Sequence, residues 1–433
     1  MTTEERRLRL SIDDQINDRY LEVPFEIPAG HATDALEVTL AYDRDVAVID
    51  LGCRDPERWR GWSGGARSRF VITPGSATPG YEPGELVPGG WAVVLGLHGM
   101  PAEPVDVTVT IATGVDAGRV EDEPPAPPPP SGGVAGSGAG SGPGRTRLGR
   151  GLPASDGLTW FAGDLHAHTT HSDGTLSIAQ LTAAAVGRGL DFLAVTDHNT
   201  VSHHPHLPGV GAVYDLCLLP GQEVTTHAGH ANAFGDIGWV DFRRPAAQWL
   251  SDVEERGGLL SVNHPIQDDC GWLHPVRTGF LELWHISWFL DLTSTGPWAY
   301  LRGFDGPGTD GAESASASRP VLLGGSDFHT PDQGFPPGTP TTWVAAEDRT
   351  PEAILDAIRH GRTAISRFPG PGEPVLVRVG DDLVAVDADG TVLVDATDRR
   401  RRVRGDRVTF SAPHEHGPYR LEAPDRTLLA ISV

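Results

Sequence analysis

The chain contains no lysine; all 34 of its basic residues are arginine. That absence excludes a Schiff-base lysine, a P-loop lysine and the β3 lysine of a kinase. Cysteine is scarce: Cys53, Cys217 and Cys270 lie far apart, with no Cys-x-x-Cys pair. An odd, unpatterned set points to a reducing compartment and away from a zinc ribbon. Positive charge is outnumbered, because 58 acidic residues leave a net charge of −24. Broad binding to nucleic acid or to an anionic membrane is therefore not expected, whereas a metal-neutralised site for an anionic substrate stays open. No apolar run approaches the ~18 residues of a spanning helix. The first ten residues, MTTEERRLRL, lack the apolar core of a signal peptide. The cytoplasm is the expected location.

Glycine and proline, by contrast, are plentiful at 54 and 37 residues, well above the ~12 % of average usage. Residues 121–144 read EDEPPAPPPPSGGVAGSGAGSGPG. They join a stiff polyproline spacer to a flexible Gly/Ser coil, and neither can bury apolar surface. A linker over 116–157 follows. Residues 1–115 before it carry short β-branched or alternating runs, such as ALEVTLAY, WAVVLGL and VDVTVTIAT, between Pro/Gly clusters. That is the pattern of an all-β sandwich. Over 158–368 strand-like and helix-like segments alternate, as in DFLAVTDH, LCLLPGQEVTT, RPAAQWLSDVEERGG and LLSVNHP. Alternation of this kind predicts a parallel sheet or barrel. Within it, TPEAILDAIRHG is predicted to be a helix capped by Thr350 with Pro351 at its first position. Residues 369–433 read as a small β tail.

Thirteen of the 18 histidines fall between 160 and 330, most of them just past a candidate strand. In a β/α barrel the active site is built at that face. His166 and His168 stand two apart in DLHAH, a spacing that turns both side chains to one face of a strand. His171 and Asp173 follow in THSDGT, and Asp197-His198-Asn199 ends FLAVT. Glu223 ends LLPGQE, with His230 seven residues later, His264 ends LLSVN, and Asp327 and His329 end VLLGGS. Imidazole and carboxylate without thiolate suit Zn, Mn or Fe rather than a cysteine-type zinc site. Two such ions can activate a water and hold both the attacking and the leaving oxygen.

The pieces DLHAHTTHSDGT, AVTDHNT, PGQEVTT, SVNHP and GGSDFH, in this order over residues 159–366, resemble the polymerase and histidinol phosphatase (PHP) superfamily of metal-dependent phosphoesterases. The resemblance implies a distorted seven-stranded β/α, TIM-like barrel with two or three divalent ions. It implies that His166, His168 and Asp327 bind a first metal, with Glu223 as bridging carboxylate. His264 would bind a second, together with His230 or with Asn232, which sits nearer the usual position. Asp173, His198 and His329 would bind a third; many members have histidine where Asp173 stands. RGWSGGARSRF, TPGY, PGGWAVVLG and EVTTHAGHANAFG further resemble the carbaryl-hydrolase-like branch, which implies hydrolysis of esters and of some aryl carbamates.

The function these observations predict is a hydrolase in which a metal-bridging hydroxide cleaves a phosphoester. Carboxylic ester or aryl carbamate cleavage at the same metals is the alternative, and an inactive scaffold with a binding β domain is the reading from another class. Glu223 and Asp327 carry the chemistry. His285 in LELWHIS and His203, followed by His204 and His206, are candidates for substrate contact or general acid. A small-molecule substrate is the expected partner, with no membrane and no stable nucleic-acid partner. Gly61-Trp62-Ser63-Gly64-Gly65 satisfies a serine-hydrolase expression, but no apolar strand precedes it; it reads as a glycine turn. Trp59, Trp62 and Trp91 could form a sugar platform but read as core. The run DRRRRVRGDR reads as a solvated hairpin turn. For a phosphomonoester, Arg277, Arg302 and Arg319 are the available clamps. For an aryl group, Trp239, Trp272, Trp284, Trp288 and Trp298 are the available pocket walls.

Overall fold

The computed structural model describes residues 2–29, 34–114, 120, 124–129, 150–268, 270–289, 296–305 and 319–432. It separates into two compact units. The first comprises Met1–Pro125, His168–Ser177 and Asp197–Pro205; the second comprises Ala126–Ala167, Ile178–Thr196 and His206–Val433. Most of the expected linker lies outside the described residues.

The first unit holds strands β1 (Thr2–Leu10), β2 (Tyr20–Ile27), β3 (Leu36–Ala41), β4 (Val48–Arg54), β5 (Trp59–Trp62), β6 (Arg69–Ile72), β7 (Gly89–Gly99) and β8 (Val105–Thr113). A short helix, α1 (Ile12–Asn17), is closed by a Ser11–Asp14 capping box. Two four-stranded antiparallel sheets result, ordered β1-β8-β3-β6 and β2-β7-β4-β5. Alternation explains them: Val105, Val107, Val109 and Ile111 of β8 turn inward while Asp106 faces out. Together with Ile49 and Leu51 of β4 and Val93 and Leu95 of β7, these residues form one apolar core shared by both sheets.

β7 is apolar without alternation because its other face is covered as well. There Trp62 lies against Gly52 and Gly96, where an added Cβ would come within 2.4 and 2.7 Å of the indole. Trp59, Trp62 and Trp91 are all buried, so they are packing residues and no exposed platform. Ser63 is buried too; its Oγ is 3.0 Å from the Tyr81 hydroxyl and 3.4 Å from the Leu51 carbonyl. A three-residue turn follows it instead of a full helix, so the Gly61–Gly65 segment is no nucleophile elbow.

The second unit is mixed α/β and rich in sheet. Its strands are β9 (Thr159–Asp164), β10 (Phe192–Val195), β11 (Cys217–Thr226), β12 (Gly229–Phe234), β13 (Leu259–Val262), β14 (Phe280–His285), β15 (Val321–Gly325), β16 (Thr341–Ala346) and β17 (Thr363–Ser366). They continue as β18 (Val375–Val379), β19 (Asp382–Val386), β20 (Val392–Val394), β21 (Arg400–Arg402), β22 (Arg407–Ser411), β23 (Tyr419–Glu422) and β24 (Leu428–Ser432). The helices are short: α2 (Ile178–Gly187), α3 (Leu207–Tyr214), α4 (Ala246–Glu255), α5 (Ile286–Phe289), α6 (Gly296–Arg302) and α7 (Pro351–Arg359). In α7 the Thr350 hydroxyl accepts the Ala353 N–H and Pro351 opens the helix, as predicted.

One thirteen-stranded sheet runs β15-β14-β13-β12-β11-β10-β9-β16-β17-β24-β23-β20-β21. The expected parallel order holds only in part. β9-β10-β11 and β13-β14-β15 pair in parallel, but β12 and β16 each pair antiparallel with both neighbours. β12 is the cause at one place: a two-residue turn after β11 returns the chain as a hairpin and inserts it before β13. β15 approaches β16 and β17 through side chains. The Thr342 hydroxyl bonds both backbone groups of Gly324, and that of Thr363 bonds the Leu322 carbonyl. The C-terminal strands extend this sheet and add a three-stranded one, β18-β19-β22, around their own core. The basic run forms the short, exposed strand β21, with Arg400 donating to Glu422.

Candidate metal centre

In the second unit the site begins where β9 stops. Asp164, its last residue, accepts N–H groups from His166, Ser326 and Gly338 at 3.2, 3.0 and 2.7 Å. One carboxylate thereby ties the chain after β9 to the chain after β15. Burial raises the Asp164 carboxyl, with these bonds working against it. The strand ends earlier than the DLHAH spacing suggested. His166 and His168 flank Ala167, which makes an isolated parallel bridge to Phe328.

His166 is fully buried. Its Nδ1 is 3.0 Å from Glu282 Oε1, while Nε2 is 3.3 Å from Glu223 Oε1 and 3.2 Å from Asp327 Oδ1. Burial by itself would lower this imidazole; Glu223, Asp327 and Glu282 outweigh it and hold it well above the ordinary range. Glu282 also accepts the backbone N–H of His264 at 3.0 Å. Burial would raise its carboxyl, but His166 and His285 overcome that and lower it. Gly325 makes room for the pair, since a Cβ there would fall 2.1 Å from Glu282 Oε1 and 2.5 Å from the His166 Cβ.

Glu223 sits inside β11, opposite Asn232 of β12. Its Oε1 accepts from Asn263 Nδ2 at 2.9 Å and lies 3.2 Å from His230 Nδ1, 3.2 Å from His264 Nε2 and 3.3 Å from His166 Nε2. One oxygen has two lone pairs and cannot accept four N–H groups. Several imidazole nitrogens around a buried carboxylate are a donor set that fits divalent cations. Of the two residues left open for a second metal, His230 is the one beside Glu223, whereas Asn232 gives its N–H to the Leu165 carbonyl at 3.2 Å.

His264 and Asp327 both have left-handed backbone, at φ 25° and 48°. For residues other than glycine, that conformation costs ~1–3 kcal/mol and gathers at functional sites. Burial would lower His264, but the Cys270 thiol at 3.3 Å and Glu223 push it up to about 10. His285 accepts the Ser287 N–H on Nδ1 and presents Nε2 to Asp327 Oδ2 at 3.1 Å; burial lowers it. His329 is partly exposed, with Nδ1 2.8 Å from the Asp327 carbonyl.

The first unit carries its own set. The candidate ligand atoms of His168, Asp173 and His198 all lie within 4.8 Å of one another. The His168 and His198 rings stack at 4.4 Å, and His198 Nε2 is 3.7 Å from Asp173 Oδ1. Asp197 anchors the loops beneath, accepting from Thr169 N, Thr169 Oγ1 and Ser172 Oγ at 2.8, 2.7 and 2.7 Å. His203 is fully buried beside it, Nδ1 3.3 Å from Asp197 Oδ2. The TPGY turn joins in: Gly80 takes the Thr200 hydroxyl on its carbonyl at 2.9 Å and gives its N–H to Ser202 at 3.1 Å.

Several groups were missed from sequence. Glu282 lies in LELWHIS and Asp164 in DLHAH, and their strand positions beside metal-type residues were the available signal. Of the arginine candidates, Arg277 donates to the Gly303 carbonyl and Arg319 to the Gly417 carbonyl. Trp272 and Trp284 are buried, while Trp288 is partly exposed with its ring 5.4 Å from His285.

A buried centre of this composition fits a metal-dependent hydrolase. No family model matches the chain. It is similar to a 5'-3' exoribonuclease of Haemophilus influenzae, 34 % identical over 64 residues, which is 15 % of this chain and 23 % of that protein. The match thus spans about a quarter of the relative's length. Among solved structures, it is similar to a two-domain protein of Bacteroides vulgatus containing a predicted PHP-like metal-dependent phosphoesterase. The identity is 18 %, the TM-score 0.35, and 65 % of this chain and 97 % of that one are covered. It is also similar to an amidohydrolase of Chromobacterium violaceum, at 17 % identity and a TM-score of 0.31, covering 48 % and 99 %. Among the described residues, no helix is long and apolar enough to cross a membrane.

Proposed function

We propose that this chain is a metal-dependent hydrolase of the PHP superfamily that cleaves phosphoesters of small molecules in the cytoplasm. The observation that carries the reading is the crowding of four nitrogens around Glu223 Oε1. The proposed ligands are His166, His168, Asp173, His198, Glu223, His230, His264, Asp327 and His329. Two or three divalent ions (Zn, Mn or Fe) are the proposed cofactors. Bound there, they would lower the pKa of a water to supply hydroxide and polarise the ester.

The chain's own residues do the rest. Glu282 accepts the Nδ1 hydrogen of His166, which fixes the tautomer and leaves Nε2 as the ligand atom. Asp164 pins His166 N and the chain before Asp327 together. His285 Nε2 donates to Asp327 Oδ2 and orients that carboxylate. The same bond places His285 as a positioning group, and His203 Nδ1 lies 3.3 Å from Asp197 Oδ2.

The similarity to a protein named as an exoribonuclease, an activity on phosphodiester bonds, supports phosphoesters. Carboxylic esters and aryl carbamates are the second reading. It is favoured by Trp288 beside His285, and by Arg277 and Arg319 being bonded to backbone carbonyls. The test is paired kinetics on 4-nitrophenyl phosphate, bis-4-nitrophenyl phosphate and 1-naphthyl acetate at matched metal loading. Phosphate hydrolysis lost on chelation is the expected result. Preference for the acetate would select the second reading. No turnover of any substrate, with no bound metal, would favour an inactive scaffold.

A further inference from the structure

The loop after β13 carries Cys270, which the metal motifs leave out. Of the three cysteines, Cys53 and Cys217 are buried and Cys270 is partly exposed. Burial holds the Cys53 and Cys217 thiols well above the ordinary thiol range, which makes them inert. Cys270 lies among histidines instead. Its Sγ is 3.3 Å from His264 Nδ1. The His230 ring meets the His264 ring edge-on, with centroids 4.9 Å apart. One ligand atom from each of His230, His264 and Cys270 lies within 4.8 Å of the other two.

The backbone of the second unit builds this group. The loop folds back on itself: the Trp272 N–H donates to the Pro265 carbonyl at 2.9 Å, and the Leu273 N–H to the Ala228 carbonyl at 2.8 Å. Gly229, at φ 125°, lies against the same loop. A Cβ there would fall 2.9 Å from Trp272 Cα and 3.3 Å from the Gly271 carbonyl, so only glycine allows this approach. Gly229 precedes His230 and Gly271 follows Cys270, so the contact holds these two residues together. The Asn263 N–H donates to the His230 carbonyl at 3.0 Å and brings in His264. Both histidines also face Glu223: His264 through Nε2, with Nδ1 turned to Cys270, and His230 through Nδ1. The carboxylate centre and the thiol thus share two imidazoles. Carboxylate and imidazole accept Mn or Fe as well as Zn, whereas thiolate selects thiophilic ions. Two imidazoles and a thiolate, with a fourth position left to water, suit zinc.

We propose that His230, His264 and Cys270 form a separate site for a thiophilic divalent cation, zinc or cadmium, which competes with the Glu223 centre for both histidines. On binding, the Cys270 thiol gives its proton to water and the sulfur–metal bond forms. The imidazoles that serve Glu223 are then engaged elsewhere, and the Glu223 centre loses its own ion. Zinc can therefore load that centre at low concentration and empty it in excess, while manganese, a poor partner for sulfur, does only the first. The competition rests on the metal-hydrolase reading above; the thiolate site does not.

The test loads the parent chain, Cys270→Ser and Cys270→Ala with manganese and titrates each with cadmium. Cadmium should give the parent chain an ultraviolet sulfur-to-metal charge-transfer band that both variants lack. In the same titration the paramagnetic-resonance signal of free manganese should rise, scaled to the manganese each chain held at the start. Loss of even an outer partner weakens a metal site ~10–100-fold, so the variants should need at least ~10-fold more cadmium for the same release. No band in the parent chain, the same band in a variant, or equal cadmium needs in all three chains would each overturn the proposal. A parent chain that shows the band but holds no manganese would keep the thiolate site and sink the metal-hydrolase reading, and the competition with it.

Discussion

Replacing Glu282 by glutamine tests whether the second unit is organised around a metal. Glu282 accepts two hydrogens, from His166 Nδ1 and from the His264 backbone, each at 3.0 Å. Glutamine offers one acceptor oxygen, so one buried donor loses its partner at a cost of ~1–3 kcal/mol. Loss of an outer partner of a metal-binding histidine weakens metal affinity by ~10–100-fold, which at ~1.4 kcal/mol per tenfold is the same range. A second effect has the opposite sign. The Glu282 charge helps to hold the proton on His166, and a bound metal must displace that proton. Removing the charge relieves this competition. The loss of affinity should therefore be smaller in acid and grow as pH rises. Competition with a chromophoric chelator, at an acidic and an alkaline pH, measures both parts. An affinity equal to that of the parent chain at both, in a variant that melts normally, would refute the reasoning.

Three further outcomes are expected. In the metal-free chain, His264 is raised from its ordinary 6.5 to about 10, so its contribution to stability is complete below 6.5 and disappears as pH rises through about 10. Melting temperature should fall across that window without metal and change less with it; a flat metal-free profile contradicts this. Glu223→Ala should lose bound metal and turnover, whereas Ser63→Ala, which disturbs a hydrogen bond to Tyr81, should keep turnover; the reverse pattern excludes the metal mechanism. Gly96→Ala forces a Cβ to 2.7 Å from Trp62 and 2.9 Å from the Asp50 Cβ, and should cost ~1–3 kcal/mol in denaturant unfolding.

The metal-type residues were legible because they come in local groups: His166 with His168, Asp327 with His329, His264 after LLSVN. Spacing carries that information, and no long-range contact is needed to read it. The all-β pattern of the first 115 residues was legible for a related reason, since inward and outward residues alternate along β3 and β8. Other features lie beyond local pattern. Asp164 earns its place by accepting the N–H of Gly338, 174 residues away. Glu282 meets His166 across 116 residues. β12 was hidden because GHANAF has weak alternation, so the hairpin that interrupts the parallel order left little trace in the sequence.

The large sheet ends at β21, three arginines in a row with every side chain exposed. An open strand is a template on which another chain can add its own, the route to sheet-on-sheet aggregation. Here the free rim is three residues long and carries like charge. A second copy approaching rim to rim would set guanidinium against guanidinium, and arginine cannot shed its proton to escape the repulsion. A short rim of like charge that no accessible pH turns off thus disfavours addition of a second copy at this edge.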